Sequence, residues 1–292
     1  MGEKKVKEQL SILQYSFAGA LSGVVSRFLG QPLDVIKIRL QLQNKEAGQL
    51  KYTGVLNTCK LIFKEEGLFG FWKGHVPAQV LSIFYGSVQF ASFERSRSFL
   101  NPYLCQRKEL NDFLSGGNAG IVSSLFVHPL DLLRTRAVSN QAKQSLSLHI
   151  LIKSTAQESG IRTFYQGIIP NLAYVYPYCG LNFLFYGLLN RTWNLLQFRE
   201  SSVKSLACGT ISGIFAKALL LPIDNVKKRL QVQGSKDFQS SYKGMVNCLQ
   251  SVIREQGIHA LYRGIVPSVL KTGLATGISF FVYEETCKLL SK

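Results

Sequence analysis

Acids and bases at one fixed spacing recur three times in the chain, and residues of these types can form reversible ion pairs. In each copy an acid lies two residues after a proline, and a base lies three residues after the acid. The prolines are Pro32, Pro129 and Pro222, the acids are Asp34, Asp131 and Asp224, and the bases are Lys37, Arg134 and Lys227. On one helix such a pair lies on the surface and is worth only about a few tenths of a kcal/mol. On three neighbouring helices the same charges would form a ring of three pairs that can close a passage.

A second set of residues lies seven positions before each acid. Seven residues are almost two helical turns, so these positions share the helix face of the acid and lie about 10 Å from it. They are Arg27, Ser124 and Lys217. Because two of them are basic, we predict that they bind an anionic group of an asymmetric solute. For each base alone, the alternative is that it snorkels or forms a structural pair.

The sequence around each acid also repeats in register, which indicates an internal repeat. Before the proline, each copy has two glycines four residues apart: Gly19 and Gly23, Gly116 and Gly120, and Gly209 and Gly213. Such spacing allows helices to approach closely, so we predict helix contacts at these pairs. Further on, an aromatic residue and a polar residue precede a closing glycine, which is Gly74, Gly167 or Gly264. We expect one domain over residues 1–292, with repeats at about 12–104, 109–199 and 203–291.

Two long helical segments and one short helix are predicted in each repeat. The long segments lie at about 12–41, 75–98, 111–138, 168–193, 203–231 and 265–289, and the short helices lie at about 55–64, 146–156 and 246–254. A helix needs about 20 residues to span a bilayer. Arg27, Lys217 and Lys271 lie inside the long segments, where a charge is tolerated if it faces a polar interior. We predict an all-α membrane protein, with a soluble helical scaffold as the alternative.

The composition is basic, with 34 Lys and Arg residues against 17 Asp and Glu residues. This excess suits a phosphate-containing ligand or an anionic membrane surface. Because the bases are spread over all three repeats and several lie in apolar segments, we predict no nucleic-acid partner. The 4 histidines and 6 cysteines lack metal-binding or redox spacing, and no nucleophile motif is present. We therefore expect no enzymatic activity, no cofactor and no metal.

The threefold Pro-x-Asp-x-x-Lys/Arg signature, the glycine pairs and the closing glycines resemble those of the mitochondrial carrier family over almost the whole chain. The resemblance implies six transmembrane helices in a pseudo-threefold barrel around a central cavity, in the mitochondrial inner membrane. It also implies solute exchange by alternating access, with the ring of ion pairs closing the cavity on the matrix side, where the short helices lie. We further expect a monomer that binds membrane lipid, with cardiolipin as that lipid.

The smaller motifs of the family are only partly present. A glutamine that braces the ring is expected four residues after the first base, where the chain has Gln41 and Gln231 but Val138 in the second repeat. The family's cytoplasmic gate uses an acid and a base three residues apart. The matching residues are Glu94, Arg97 and Glu284. Because the fourth long segment lacks the acid and the sixth lacks the base, we expect a weak cytoplasmic gate.

Solute contacts in the family fall seven and eight residues after each closing glycine. The corresponding residues are Leu81, Ser82, Tyr174, Val175, Lys271 and Thr272. Tyr85 and Gln89 share the helix face of Ser82 and can stack on or hydrogen-bond to a heteroaromatic ring. Lys271 joins Arg27 and Lys217 as a cavity base. We expect these three bases to have no neighbouring acid that balances their charge.

Longer stretches are similar to those members of the family that carry thiamine pyrophosphate. They are residues 34–43, 71–79, 81–83, 85–90 and 92–94. This resemblance implies thiamine pyrophosphate as the solute, in exchange for nucleotides, with its diphosphate on Arg27, Lys217 and Lys271. A nucleotide or coenzyme A carrier of the same family is the alternative, because the same bases would serve those solutes.

Overall fold

The computed structural model describes residues 12–43, 51–104, 108–140, 147–195, 202–234 and 242–290. Within these residues the chain forms helices and turns and contains no strand. The helices are α1 (Ile12–Leu42), α2 (Val55–Glu66), α3 (His75–Leu104), α4 (Lys108–Ser139), α5 (Leu148–Ser159), α6 (Ile161–Phe164), α7 (Ile168–Leu195), α8 (Ser202–Val232), α9 (Met245–Gln256) and α10 (Ile265–Leu290). Short 3-10 helices follow α2 at Leu68–Trp72 and α9 at Ile258–Tyr262. The predicted all-α class is confirmed.

The predicted helix limits agree with the structure to within a few residues, except at the end of α3. That helix continues to Leu104 instead of ending near residue 98, although Pro102 lies in its last turn. Side chains one turn apart on a helix are neighbours. The rings of Phe99 and Tyr103 have this spacing, and their centroids lie 6.2 Å apart. This aromatic contact supports the additional turn, which the proline alone would disfavour.

The six long helices, α1, α3, α4, α7, α8 and α10, pack in a closed cycle. In chain order each contacts the next, and α10 contacts α1. The helices that contain the motif prolines, α1, α4 and α8, also contact one another across the cycle. A proline inside a helix removes one backbone hydrogen bond and permits a bend. The convergence of these three helices brings the three acid-base motifs together.

Polar side chains are buried where α1, α4 and α8 converge, whereas many large apolar side chains are exposed. Gln41 and His128 are 0% exposed. Phe126, Ile83 and Phe281 are exposed at 70%, 66% and 65%. In a water-soluble protein, large apolar residues are mostly buried and extensive apolar patches are rare. The exposed apolar side chains of this chain therefore suit an apolar environment.

Each long helix is long enough to cross a membrane. Their lengths range from 26 to 32 residues, and about 20 helical residues span the hydrocarbon core. Among the described residues, the segments Ala207–Val232 and Ile258–Cys287 are also apolar enough to qualify by composition. Charged and amide side chains on one face lower the mean hydropathy of a helix that lines a polar interior.

Three glycines of the predicted pairs do not make the close helix contacts that their spacing predicted, whereas Gly213 is buried and a Cβ there would lie 3.9 Å from Thr272 and from the hydroxyl of Tyr178. A Cβ atom on Gly19, Gly23 or Gly209 would have no non-neighbouring atom within 4 Å. Small residues one position before the glycines are buried, at Ala18 and Ser22, Ser115 and Ala119, and Cys208 and Ser212. Gly23 precedes Asp34 by eleven residues, which is close to three turns, so the two share one face. In the first repeat the prediction was therefore wrong by one residue, because Gly23 lies on the helix face of Asp34.

The closing glycines join each repeat to the next. They have positive φ values of 72° at Gly74, 76° at Gly167 and 86° at Gly264, a region that costs other residues about 1–2 kcal/mol. A Cβ atom on Gly74 would lie 3.0 Å from the carbonyl oxygen of Arg134 and 3.0 Å from Cγ2 of Val138. The equivalent contacts are from Gly167 to Lys227 and Gln231, and from Gly264 to Lys37 and Gln41. These contacts require the absence of a side chain.

We expect Gly74→Ala to lower the free energy of unfolding by about 1–3 kcal/mol, because it adds backbone strain to a steric overlap. Gly187→Ala in α7 is the matched control, since a Cβ there would have no non-neighbouring atom within 4 Å. In a helix this change is neutral or stabilises by up to about 1 kcal/mol. Thermal unfolding of the detergent-purified chain measures both effects, and equal midpoints would contradict the packing assigned to Gly74.

Candidate functional site

Three ion pairs between helices form a ring where α1, α4 and α8 converge. The distance from Lys37 Nζ to Asp224 is 2.6 Å and that from Lys227 Nζ to Asp131 is 2.7 Å, and Arg134 forms the third pair with Asp34. The acid of α1 thus meets the base of α4, the acid of α4 meets the base of α8, and the acid of α8 meets the base of α1. Each of these side chains is no more than 14% exposed. The six predicted gate residues therefore lie together, each paired with another helix.

Two of the three pairs have a glutamine beside them at the predicted brace positions. Gln41 Nε2 donates to Asp224 at 3.2 Å, and Gln231 Nε2 donates to Asp131 at 2.9 Å. Val138 occupies the equivalent position beside the Asp34–Arg134 pair and has no group that could donate to it. Two of the three brace positions thus hold a glutamine that donates to an acid of the ring, and the third holds a valine, as the sequence indicates.

Lys228 is a ring residue that the sequence analysis missed. Its ammonium donates to both carboxylate oxygens of Asp131, at 3.1 and 3.3 Å, and to Gln231 Oε1 at 3.0 Å. The signal was the run Lys227-Lys228-Arg229, where the other two repeats have Ile38 and Thr135 in the middle position. Asp131 therefore binds two lysines.

Lys271 does not fit the expectation that the cavity bases lack a neighbouring acid. Its ammonium lies 2.7 and 2.6 Å from the two carboxylate oxygens of Asp34. A Cβ on Gly30 would lie 3.7 Å from Cε of Lys271, so the lysine stem passes beside this glycine. The sequence could not predict this pair, because spacing within α10 does not determine which residue of α1 lies opposite.

The remaining cavity candidates on α8, α10 and α7 lie close together. Lys217 Nζ donates to Thr272 Oγ1 at 3.2 Å. A Cβ on Gly213, one turn from Lys217, would lie 3.9 Å from Thr272 and from the hydroxyl of Tyr178. The rings of Tyr178 and Tyr174 are stacked, with centroids 5.5 Å apart and planes inclined by 13°. Three helices thus bring lysine, hydroxyl and aromatic groups to one region.

The other predicted contact residues differ in accessibility. Arg27, Leu81, Ser82, Tyr85 and Gln89 are half-buried. Ser124 is 3% exposed and Val175 is 9% exposed, so both are packed against neighbours. Val175 is turned away from Tyr174 by the rotation of about 100° between successive helix residues. The half-buried residues and Tyr174 remain candidates for solute contact, and Val175 contributes to packing.

The predicted cytoplasmic gate lies far along the helices from the ring. Glu94 is exposed on α3, and the guanidinium of Arg97 lies 5.9 Å from the ring centroid of Phe93. The side chain of Glu284 lies outside the described part of the chain. The gate role of these residues stays a prediction.

A collar of buried arginines surrounds the ring, with one arginine five residues after each acid of the motif. Arg39, Arg136 and Arg229 donate to backbone carbonyls of the next repeat, at Val138 and Asn140, at Gln231 and Gln233, and at Gln43. Each also contacts a side chain near the end of its own short helix, namely Glu66, Glu158 or Gln256. The three repeats are therefore linked cyclically by arginine side chains, a role that the sequence analysis did not assign.

Comparison with known proteins places the chain in a family. It matches the family described as mitochondrial carrier protein three times, over residues 8–104, 106–195 and 198–292. The mitochondrial thiamine pyrophosphate carrier of Bos taurus is 39% identical, with 95% of this chain and 93% of the relative covered. The Homo sapiens protein of the same name is 38% identical over 94% and 92%. Mitochondrial thiamine pyrophosphate carrier 1 of Coccidioides immitis is 36% identical over 100% and 97%.

The chain therefore belongs to the mitochondrial carrier family. Members of this family are transporters and not enzymes.

Proposed function

We propose that the chain carries thiamine pyrophosphate across the mitochondrial inner membrane by alternating access, in exchange for a nucleotide. The observation that carries the proposal is the convergence of Lys217, Lys271 and the stacked pair Tyr174 and Tyr178 inside the helix cycle. Ammonium groups suit a diphosphate, and tyrosine faces suit a cationic thiazolium. The names of the relatives support the same solute.

The charge balance around the ring also favours an anionic solute. Five bases contact three acids there: Lys37, Arg134, Lys227, Lys228 and Lys271 meet Asp34, Asp131 and Asp224. Arg27 and Lys217, two turns away from their acids, add positive charge on the same faces. A cleft lined by one sign of charge attracts ligands of the opposite sign. We propose that this excess draws the diphosphate to the ring end of the cavity.

The closed ring suggests the orientation of this conformation. We assign the ring to the matrix side, so that the cavity of this state is open towards the cytoplasmic side and accepts solute from there. The helices α2, α5 and α9 would then lie at the matrix surface, where bases such as Lys153 can meet the phosphates of cardiolipin. The helix cycle closes within one chain, which supports transport by a monomer.

An uptake assay with the purified chain in liposomes tests the proposal. We expect uptake of labelled thiamine pyrophosphate, with the rate lowered by about 10- to 100-fold in Arg27→Ala and Lys217→Ala, since each change removes about 1.4–2.7 kcal/mol of charge-assisted binding. Lys243→Ala, which removes an exposed base in the turn before α9, is the control and should behave as the unmodified chain. Uptake of nucleotides or coenzyme A without thiamine pyrophosphate would replace the proposed solute.

A further inference from the structure

Every acid of the ring receives a hydrogen bond from a donor other than its ring partner. Asp224 binds Lys37 and Gln41, and Asp131 binds Lys227 and Gln231. Asp34 binds Arg134 in the same way, but Val138 occupies the position of the glutamine. Its additional donor is Lys271, which reaches it from α10 and contacts both carboxylate oxygens.

We propose that Lys271 takes the place of the missing glutamine brace at the Asp34–Arg134 pair, and that the solute removes this brace when it binds. The inference rests on the proposed function for its second half only. Gln41 and Gln231 are 0% exposed, and the side chain of Lys228, the further donor to Asp131, is 8% exposed. The Lys271 side chain is 24% exposed and therefore remains accessible from the cavity. It is the one brace, among the described residues, that a phosphate can reach and compete for.

The competition has a simple electrostatic basis. Lys271 shares Asp34 with Arg134, so its attraction to the carboxylate is opposed by a second positive charge. A diphosphate carries more negative charge than one carboxylate and forms charge-assisted bonds with an ammonium. When Lys271 turns to the diphosphate, α10 loses its ionic contact with α1, and this sector of the ring is held by the Asp34–Arg134 pair alone. A ligand can shift an equilibrium only through different contacts in the two states, and this exchange of partners supplies such a difference.

Position 138 can accept a glutamine, which makes the inference testable. Val138 lies against the closing glycine Gly74 as Gln231 lies against Gly167 and Gln41 against Gly264. A Cβ placed on each glycine would lie 3.0, 3.2 and 3.2 Å from the respective side chain. Each of these positions follows the first base of its motif by four residues. The substitution Val138→Gln would therefore direct an amide at Asp34. Unlike Lys271, this amide would not exchange Asp34 for the diphosphate of the solute.

The first experiment is thermal unfolding of the detergent-purified chain without solute. We expect Lys271→Met to lower the midpoint by about 2–6 °C and Val138→Gln to restore it in the Lys271→Met background. Gln41→Val, which removes the amide brace of Asp224, calibrates the loss. Lys217→Met removes a lysine that binds a hydroxyl and should lower the midpoint less than Lys271→Met does. An unchanged or raised midpoint in Lys271→Met, or no recovery in the double variant, would overturn the brace.

The second experiment separates solute binding from ring opening. In Val138→Gln with Lys271 retained, thiamine pyrophosphate should still raise the unfolding midpoint as in the unmodified chain, but its exchange in liposomes should be slowed about tenfold, because a permanent brace holds the ring closed. Unaltered exchange in this variant would refute removal of the brace by the solute. If the unmodified chain does not transport thiamine pyrophosphate, the proposed function fails, while the solute-free midpoints still decide whether Lys271 is a brace.

Discussion

Lys37→Asp is expected to lower the exchange rate by at least about 100-fold. The substitution would place a second carboxylate beside Asp224 at a site where both side chains are at most 12% exposed. Two like charges in a poorly solvated site repel strongly, so the ring cannot close at this pair. A loss of about 2.7 kcal/mol in the closed state corresponds to the expected factor. The measurement is initial exchange in liposomes that contain labelled thiamine pyrophosphate.

The charge-swapped variant Lys37→Asp/Asp224→Lys provides the control. It restores an ion pair between α1 and α8 with reversed polarity, and Gln41, one turn from position 37 on α1, can donate to the new carboxylate. We expect exchange to return to within about tenfold of the unmodified chain. If the double variant were as inactive as Lys37→Asp, the residues would act in some way other than as a reversible pair, for example by direct contact with the solute.

Arg39→Met is expected to destabilise the chain by about 3–5 kcal/mol, which is the usual cost of removing one partner of a buried ion pair. The Arg39 side chain is 2% exposed, and its guanidinium is enclosed by acceptors. It donates to the carbonyl oxygens of Val138 at 2.9 Å and Asn140 at 3.1 Å, and to both carboxylate oxygens of Glu66. Its loss would remove the side-chain donor of the Val138 carbonyl and one of the two bases at Glu66 and Asn140, where Lys73 would remain. It would also remove one of the links between the first repeat and the second. Thermal unfolding in detergent measures the effect.

Lys51→Met is the matched control for that prediction. The distance between Lys51 Nζ and Glu65 is 2.8 Å, but the two side chains are 38% and 37% exposed. An exposed pair of this kind contributes at most about 1 kcal/mol. Similar unfolding midpoints for Arg39→Met and Lys51→Met would show that the arginine collar does not hold the repeats together.

Much of the fold could be predicted from the sequence, because its main signals are periodic. The motif that contains Asp34 and Lys37 recurs in register, so three similar units follow from the chain itself. Helix periodicity also determines which residues of one helix share a face, as Arg27 and Asp34 do at a spacing of seven. These relations depend on local backbone geometry, and they hold whatever the helix packs against.

The errors concern residues whose role depends on a second helix. The glycine spacing was recognised, yet the helices pack on Ser22 and its equivalents rather than on Gly23, because the rotation of a helix about its axis is set by its neighbours. Lys228 has a second base beside it in the sequence and was missed for the same reason. Local spacing determines which residues share a helix face, but it does not determine which neighbouring residues that face contacts.

By itself the sequence determined the threefold repeat, the limits of most helices and the six charged residues that form the ring. Only the tertiary structure decided that Asp34 pairs with Arg134 of the next repeat instead of Lys37 on its own helix, and that Lys271 shares this acid. The physical reason is that the position of a charge along its helix follows from covalent geometry, whereas its partner depends on how all six long helices pack around a common axis. In this chain Asp34 contacts both Arg134 of the ring and Lys271 of the proposed solute site, and it thereby links the two.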